Sequence, residues 1–107
     1  MRTQQEKILK MVSDVVEQAE LEPVLDFDLT NSGVIYVQDP DSLTIFATIS
    51  FNFQRGSVNI GAKSERGYIV PREGLLCTYL DSTTFNNFLV NLAVALAEEL
   101  SPLGNIR

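Results

Sequence analysis

The residues best suited to chemistry are two close pairs of carboxylates, Asp26 with Asp28 and Asp39 with Asp41, and one thiol, Cys77. Paired acids at such spacing could share proton transfer at a glycosidic bond or hold a calcium ion. Asp26 and Asp28 alternate with Leu25, Phe27 and Leu29 in VLDFDL, which puts both carboxylates on the wet face of one strand. There they also oppose pairing with a stray strand edge. Asp39 and Asp41 flank Pro40, a turn composition, and the segment lacks the glycine and distal glutamate of a calcium-binding loop. The chain has no histidine, which removes the commonest general base and metal ligand together with Ser-His and Cys-His catalysis in their usual forms. A lone cysteine cannot form an internal disulfide or a cysteine-rich zinc site. Because it alternates with Leu75 and Tyr79, Cys77 reads as a buried core thiol.

One further segment invites a chemical reading. GSVNIGAKS (56–64) resembles a phosphate-binding loop carrying an extra residue, since Ala62 separates the second glycine from Lys63. That loop needs lysine directly after glycine and a helix behind it. Here Val58 and Ile60 alternate as in a strand, and no helical pattern follows. Gly61 is therefore expected at a bulge or at a close approach of neighbouring chain. No catalytic, cofactor or metal ligand set emerges, and the expectation is a protein without enzymatic activity or cofactor.

The elements that must position these residues begin with the clearest pattern in the chain, LTIFATISFNFQ (43–54). Leu43, Ile45, Ala47, Ile49, Phe51 and Phe53 are apolar, and the residues between them are polar except Phe46. This period of two belongs to a strand with one buried and one wet face. A two-residue loop at Arg55-Gly56 pairs Phe53 with Val58, Phe51 with Ile60 and Ile49 with Ala62, so a single register gathers all the apolar side chains on one face. Upstream, residues 4–20 carry Ile8, Val12, Val15 and Ala19 at helical spacing, with a Glu6–Lys10 pair on the other side and Pro23 as the stop. Strands are expected at 24–29 and 34–38, with turns at Asn31-Ser32-Gly33 and at 39–42. Weaker strand patterns, YIV and LLCTYL, flank the turn 71–74, and residues 67–80 read equally as a hairpin or a loop.

A final helix starts at one of Asp81, Ser82 or Thr83 and carries Phe85, Phe88, Leu89, Leu92, Leu96 and Leu100 on one side. Its other side holds Val90, Val94 and Ala95, so this helix is expected to be covered on more than one side, by the rest of the fold or by another protein. Two helices side by side are roughly 20 Å wide, about the span of five strands at ~4.8 Å spacing. The expected fold is therefore α+β: a single domain (1–107) in which an antiparallel meander of about five strands is flanked in sequence by an N-terminal and a C-terminal helix, both lying on one sheet face as a two-layer sandwich. The opposite face is left open, with Phe46 partly exposed on it.

The chain has 107 residues, 45% of them hydrophobic, with a net charge of −6, values suited to one folded domain with a true core. No apolar run reaches the ~18 residues of a membrane span, and MRTQQEKILK lacks the apolar segment of a secretory signal, so the cytoplasm is the expected location. Between Met11 and Gln54 there are eight acids and no lysine or arginine, whereas Arg55, Lys63, Arg66 and Arg72 follow within eighteen positions. This balance argues against nucleic acid as a direct ligand, which requires clustered cations.

The segments ILKMVSDVVEQAELEPVLDFDLTNSGVIYV and YLDSTTFNNFLVNLAVALAEEL, about half of the chain, resemble class I type III secretion chaperones and the YbjN-like proteins. Those are small acidic α+β proteins in which a helix leads into a strand meander and a second helix closes the chain. The resemblance implies a role in binding other proteins. It departs from the family pattern where those proteins carry a dimer-forming helix after the third strand, because this chain runs directly into SVNIGA.

Three functions follow as expectations. The first is a non-enzymatic protein-binding module, chaperone-like or regulatory, with a homodimer as one form it could take, contacting its partner through Phe46, Val90, Val94 and the acids Asp26, Asp28, Asp39 and Asp41. The second, motivated by the run of eight acids without a base, is an acidic inhibitor or decoy that occupies a basic, nucleic-acid-binding site on a partner enzyme. The third is a small enzyme or ligand carrier with a pocket between the sheet and the helices, for which an anion would sit beside Tyr68 at Arg66 or Arg72.

Overall fold

The computed structural model describes residues 2–27 and 31–100. Helix α1 (Arg2–Gln18) leads into six strands and a closing helix. The strands are β1 (Glu22–Phe27), β2 (Ser32–Gln38), β3 (Ile45–Gln54), β4 (Ser57–Ser64), β5 (Gly67–Tyr68) and β6 (Leu75–Thr78), and the closing helix is α2 (Ser82–Leu100). All strand pairings are antiparallel, in the order β1-β2-β3-β4-β5, with β6 also on β4. Both helices supply one continuous core with the sheet, giving the expected open, two-layer α+β arrangement.

The β3–β4 hairpin adopts the expected register, Phe53 opposite Val58, Phe51 opposite Ile60 and Ile49 opposite Ala62. Gly56 in the connecting turn takes φ +81°, a left-handed conformation that favours glycine. From this hairpin the inward row continues through Ile35 and Val37 of β2 and Cys77 of β6. Helix α1 meets the row with Ile8, Val12 and Val16, and α2 meets it with Phe85, Phe88, Leu92 and Leu96. Among the described residues no polar or charged side chain is buried.

The structure departs from the sequence reading at four places, each with a local cause. Helix α1 ends at Gln18, well before Pro23, through backbone bonds alone. Glu20 adopts φ +64°, its N–H donates to Glu17 O at 2.9 Å, and Leu21 N–H donates to Val16 O at 3.2 Å. These are the paired bonds of a Schellman cap, and buried Leu21 and Val16 make up its apolar pair. Pro23 instead lies within β1, an edge strand, where its missing N–H is tolerated. Leu43 is not part of β3: it stands in the preceding turn at φ +63°, largely exposed.

At the third place, the β2–β3 register steps from Val37 opposite Ala47 to Gln38 opposite Ile45, leaving Phe46 as the extra residue of a β-bulge. The bulge breaks the alternation, and Phe46 is half-buried against the core. Finally, residues 67–80 form neither a hairpin nor a plain loop. Strands β5 and β6 both pair with β4, at Lys63–Ser64 and at Ser57–Ile60, so they form one edge strand interrupted by an excursion over 69–74. The excursion anchors itself with buried Val70 and with Ile69 N–H donating to Ala62 O at 2.9 Å.

Asp81 caps α2, its Oδ1 accepting the Thr83 N–H at 3.0 Å. Replacing it by alanine should lower stability by about 1 kcal/mol, the usual value of an N-cap. Conversely, Glu20→Gly should raise stability by about 0.5–1 kcal/mol, because glycine removes the left-handed strain. Urea denaturation of both variants checks this pair, and a destabilised Glu20→Gly would show that Glu20 carries no relievable strain in its left-handed conformation.

Candidate functional site

The sequence-selected residues occupy three separate places. Asp39 and Asp41 lie in the β2–β3 turn, where Asp39 organises the chain: its Oδ1 accepts the Asp41 N–H and its Oδ2 accepts the Ser42 hydroxyl, both at 3.0 Å. Its backbone closes the same turn, with Asp39 N–H donating to Thr44 O and Leu43 N–H donating to Asp39 O, each at 2.8 Å. The Asp41 and Ser42 hydrogen bonds hold the Asp39 carboxyl below the usual carboxylate range. Asp39 thus has a structural task, as its turn composition indicates. Asp26 is exposed on β1, the outermost strand, facing the open side of the sheet, and Asp28 lies outside the described residues.

Phe46, at the bulge, is half-buried and packs against the core. Val90 and Val94 are the exposed pair: 62% and 52% of their surfaces face solvent on α2. Exposed Ala93 and Ala97 extend them into a stripe at positions i, i+3, i+4 and i+7. The helix carries no charged residue from Ser82 to Ala97, a signal present in the sequence but not used in the selection above. A solvated surface helix ordinarily presents charges on its outer face. Leu80, fully exposed just before α2, and Leu76, on the open sheet face, were likewise not selected.

The structure also assembles a cationic and aromatic group that sequence spacing shows only in part. Lys63 lies directly opposite Tyr68 on β4 and β5, its Nζ 5.6 Å from the ring centroid. Arg72, carried there by the 69–74 excursion, places its Cζ 6.0 Å from the same centroid. Beside them is a shallow depression of about 250 Å³ lined by Ser50, Asn52, Asn59, Gly61, Arg72 and Glu73 among others. Gly61 marks a close approach here, since a Cβ would lie 2.7 Å from Ser50 Oγ, and β3 and β4 run past each other without a bulge. GSVNIGAKS is strand β4 and its turn, with no helix behind it to cradle a phosphate.

Cys77 is buried, and desolvation, followed by the charge of Asp81, pushes its thiol pKa up, which disfavours the nucleophilic thiolate. Among the described residues no group of three or more potential ligands is placed to hold a metal ion, and no helix is long and apolar enough to cross a membrane. Comparison with protein-family models, with curated proteins and with solved structures gives no match.

Asp39 gives this site a pH signature. A carboxyl held below its unfolded value adds stability above that value, and the contribution disappears as pH falls through the folded pKa. Asp39→Asn should therefore flatten the acid limb of the stability profile below about pH 4. Urea midpoints measured against pH check this, and parallel curves for the two proteins would show that the turn bonds are not coupled to ionisation.

Proposed function

We propose that this chain is a non-enzymatic protein-binding module, chaperone-like or regulatory, which docks its partner on the outer face of α2. The carrying observation is the uncharged, exposed stripe Val90, Ala93, Val94 and Ala97 on a helix whose opposite side already fills the core. Contiguous exposed apolar surface of this kind marks protein contact sites. An amphipathic or apolar helix laid along the stripe would bury the valines, with the alanines allowing close approach. The resemblance to secretion chaperones supports the same class of role.

The acidic decoy is kept as a second reading because Glu22 and Asp26 are both exposed along the free β1 edge. Asp39 contributes less to it, since both of its carboxylate oxygens accept hydrogen bonds within the turn.

The two readings separate by mutation and by salt. Val90→Glu and Val94→Glu should leave the circular dichroism spectrum unchanged and stability within about 0.5 kcal/mol, because both side chains are exposed. Each should nevertheless weaken partner binding by about tenfold or more. Partner retention that is insensitive to both valines but lost at moderate salt would transfer the function to the acidic rim.

A further inference from the structure

Helix α2 begins without the apolar contact that its sequence provides for. Asp81 is the N-cap, so Leu80 stands immediately before the cap and Phe85 is the fourth residue of the helix. An apolar residue in the first of these positions ordinarily packs on the second and fixes the entry of the chain. Here Leu80 is fully exposed, so that contact is not made. Phe85 instead borders a cleft of about 110 Å³ between α1, α2 and the sheet, with Ile8, Met11, Val58 and Cys77 as its other apolar walls. Its exposed, polar lining includes Lys7 of α1 and Ser82 of α2. Deleting one leucine side chain from a packed core leaves a void of about 150 Å³, so a cleft of this volume takes one aliphatic side chain.

We propose that the cleft takes Leu80 of a second copy of the chain, in a reciprocal dimer where each copy completes the other's helix-entry contact. Leu80 lies between Tyr79 and Ser82 in the chain, and both of these line the cleft, so leucine and cleft are neighbours on one surface. A two-fold axis passing between them exchanges the two. Each Leu80 then enters the other copy's cleft and meets its Phe85, and the contact closes on itself as a dimer. The turn that carries Leu80 is tied down outside its own cleft. Asp81 N–H donates to Thr78 O at 3.3 Å, and Tyr79 donates its N–H to Gly56 O at 3.0 Å and its hydroxyl to Gln54 O at 3.3 Å. The same exchange carries Asp81, exposed and using only Oδ1 in its N-cap bond, toward the other copy's Lys7. Lys7 is exposed and makes no ion pair among the described residues.

A second copy supplies three complements at once: an apolar side chain that its own fold leaves uncovered, a hydrogen-bonded turn to present it, and a carboxylate beside it for Lys7. The contact covers one anchoring side chain and its surroundings on each copy, less than the roughly 1,000 Å² of a stable specific interface, so the dimer is weak and reversible. It lies at the start of α2, about 12 Å along the helix axis from Val90 and further from Val94. This inference therefore goes beyond the docking function and does not rest on it.

Analytical ultracentrifugation of the full chain at up to about 1 mM should show a weak dimer. Leu80→Ser should weaken it by about tenfold or more with an unchanged circular dichroism spectrum, because the side chain is exposed. Lys7→Glu should weaken it as well, and Val94→Glu should leave it unchanged. Leu80→Cys locates the contact, since Cys77 lines the cleft. Oxidised at alkaline pH, where the raised thiol of Cys77 ionises, this variant should give a covalent dimer whose bridge joins the introduced thiol to the second copy's Cys77. Peptide mass mapping identifies that bridge. A wild-type monomer at about 1 mM, or a dimer indifferent to Leu80→Ser, overturns the proposal. So does an introduced thiol that bridges to Cys77 of its own chain, to the second copy's introduced thiol, or to nothing in a dimeric population.

Discussion

Ile49 opposite Ala62, Phe51 opposite Ile60 and Phe53 opposite Val58 place six apolar side chains on one face of the sheet, and the rest of the molecule depends on that registry. A slip of one residue would turn Val58, Ile60 and Ala62 to the face opposite Ile49, Phe51 and Phe53 and bring Ser57, Asn59 and Gly61 inward. The flanking strands inherit the same parity, so the two helices have one apolar surface to cover and the other face stays wet. The Gly56 turn holds the hairpin tip, and Tyr79 ties the β6 end to it, its N–H donating to Gly56 O at 3.0 Å and its hydroxyl to Gln54 O at 3.3 Å.

A sheet covered on one side only leaves two exteriors of different character. The helical exterior carries an apolar, uncharged stripe along α2, suited to contact driven by removal of surface from water. The sheet exterior is mixed, with polar residues on β2 and β3 and exposed Val24, Tyr68 and Leu76 toward its edges. The thiol is buried, Asp39 is engaged in its turn, and the described interior holds no ionisable side chain except the raised thiol of Cys77.

Much of this was legible in the sequence because the signals are periodic. The β3–β4 register follows from two alternating runs about a two-residue loop, and the inward row of α2 follows from its helical spacing. Asp39 and Asp41 were readable as turn residues from Pro40 between them. Val90 and Val94 were readable as a second apolar face, although the composition left open whether the fold itself would cover them. What escaped the reading depends on tertiary geometry. Glu20 is not a residue type that announces a left-handed helix cap, and Phe46 looks like an outward residue until a bulge shifts the register. Strands β5 and β6 belong to one interrupted edge, which neither short segment signals alone. Arg72 reaches Tyr68 only through the path of the 69–74 excursion, so a group spread over ten residues becomes one patch.

The central functional claim, that the outer face of α2 is where another protein docks, is tested most directly by position-resolved photo-crosslinking in the native host. A photoreactive side chain is placed at Val94, at Ser50 on the open sheet face, or at exposed Glu17 on α1. Adducts to a different protein concentrated at position 94 and resistant to high salt are the expected result. Adducts to such a protein at position 50 or 17, with none at 94, would contradict the claim.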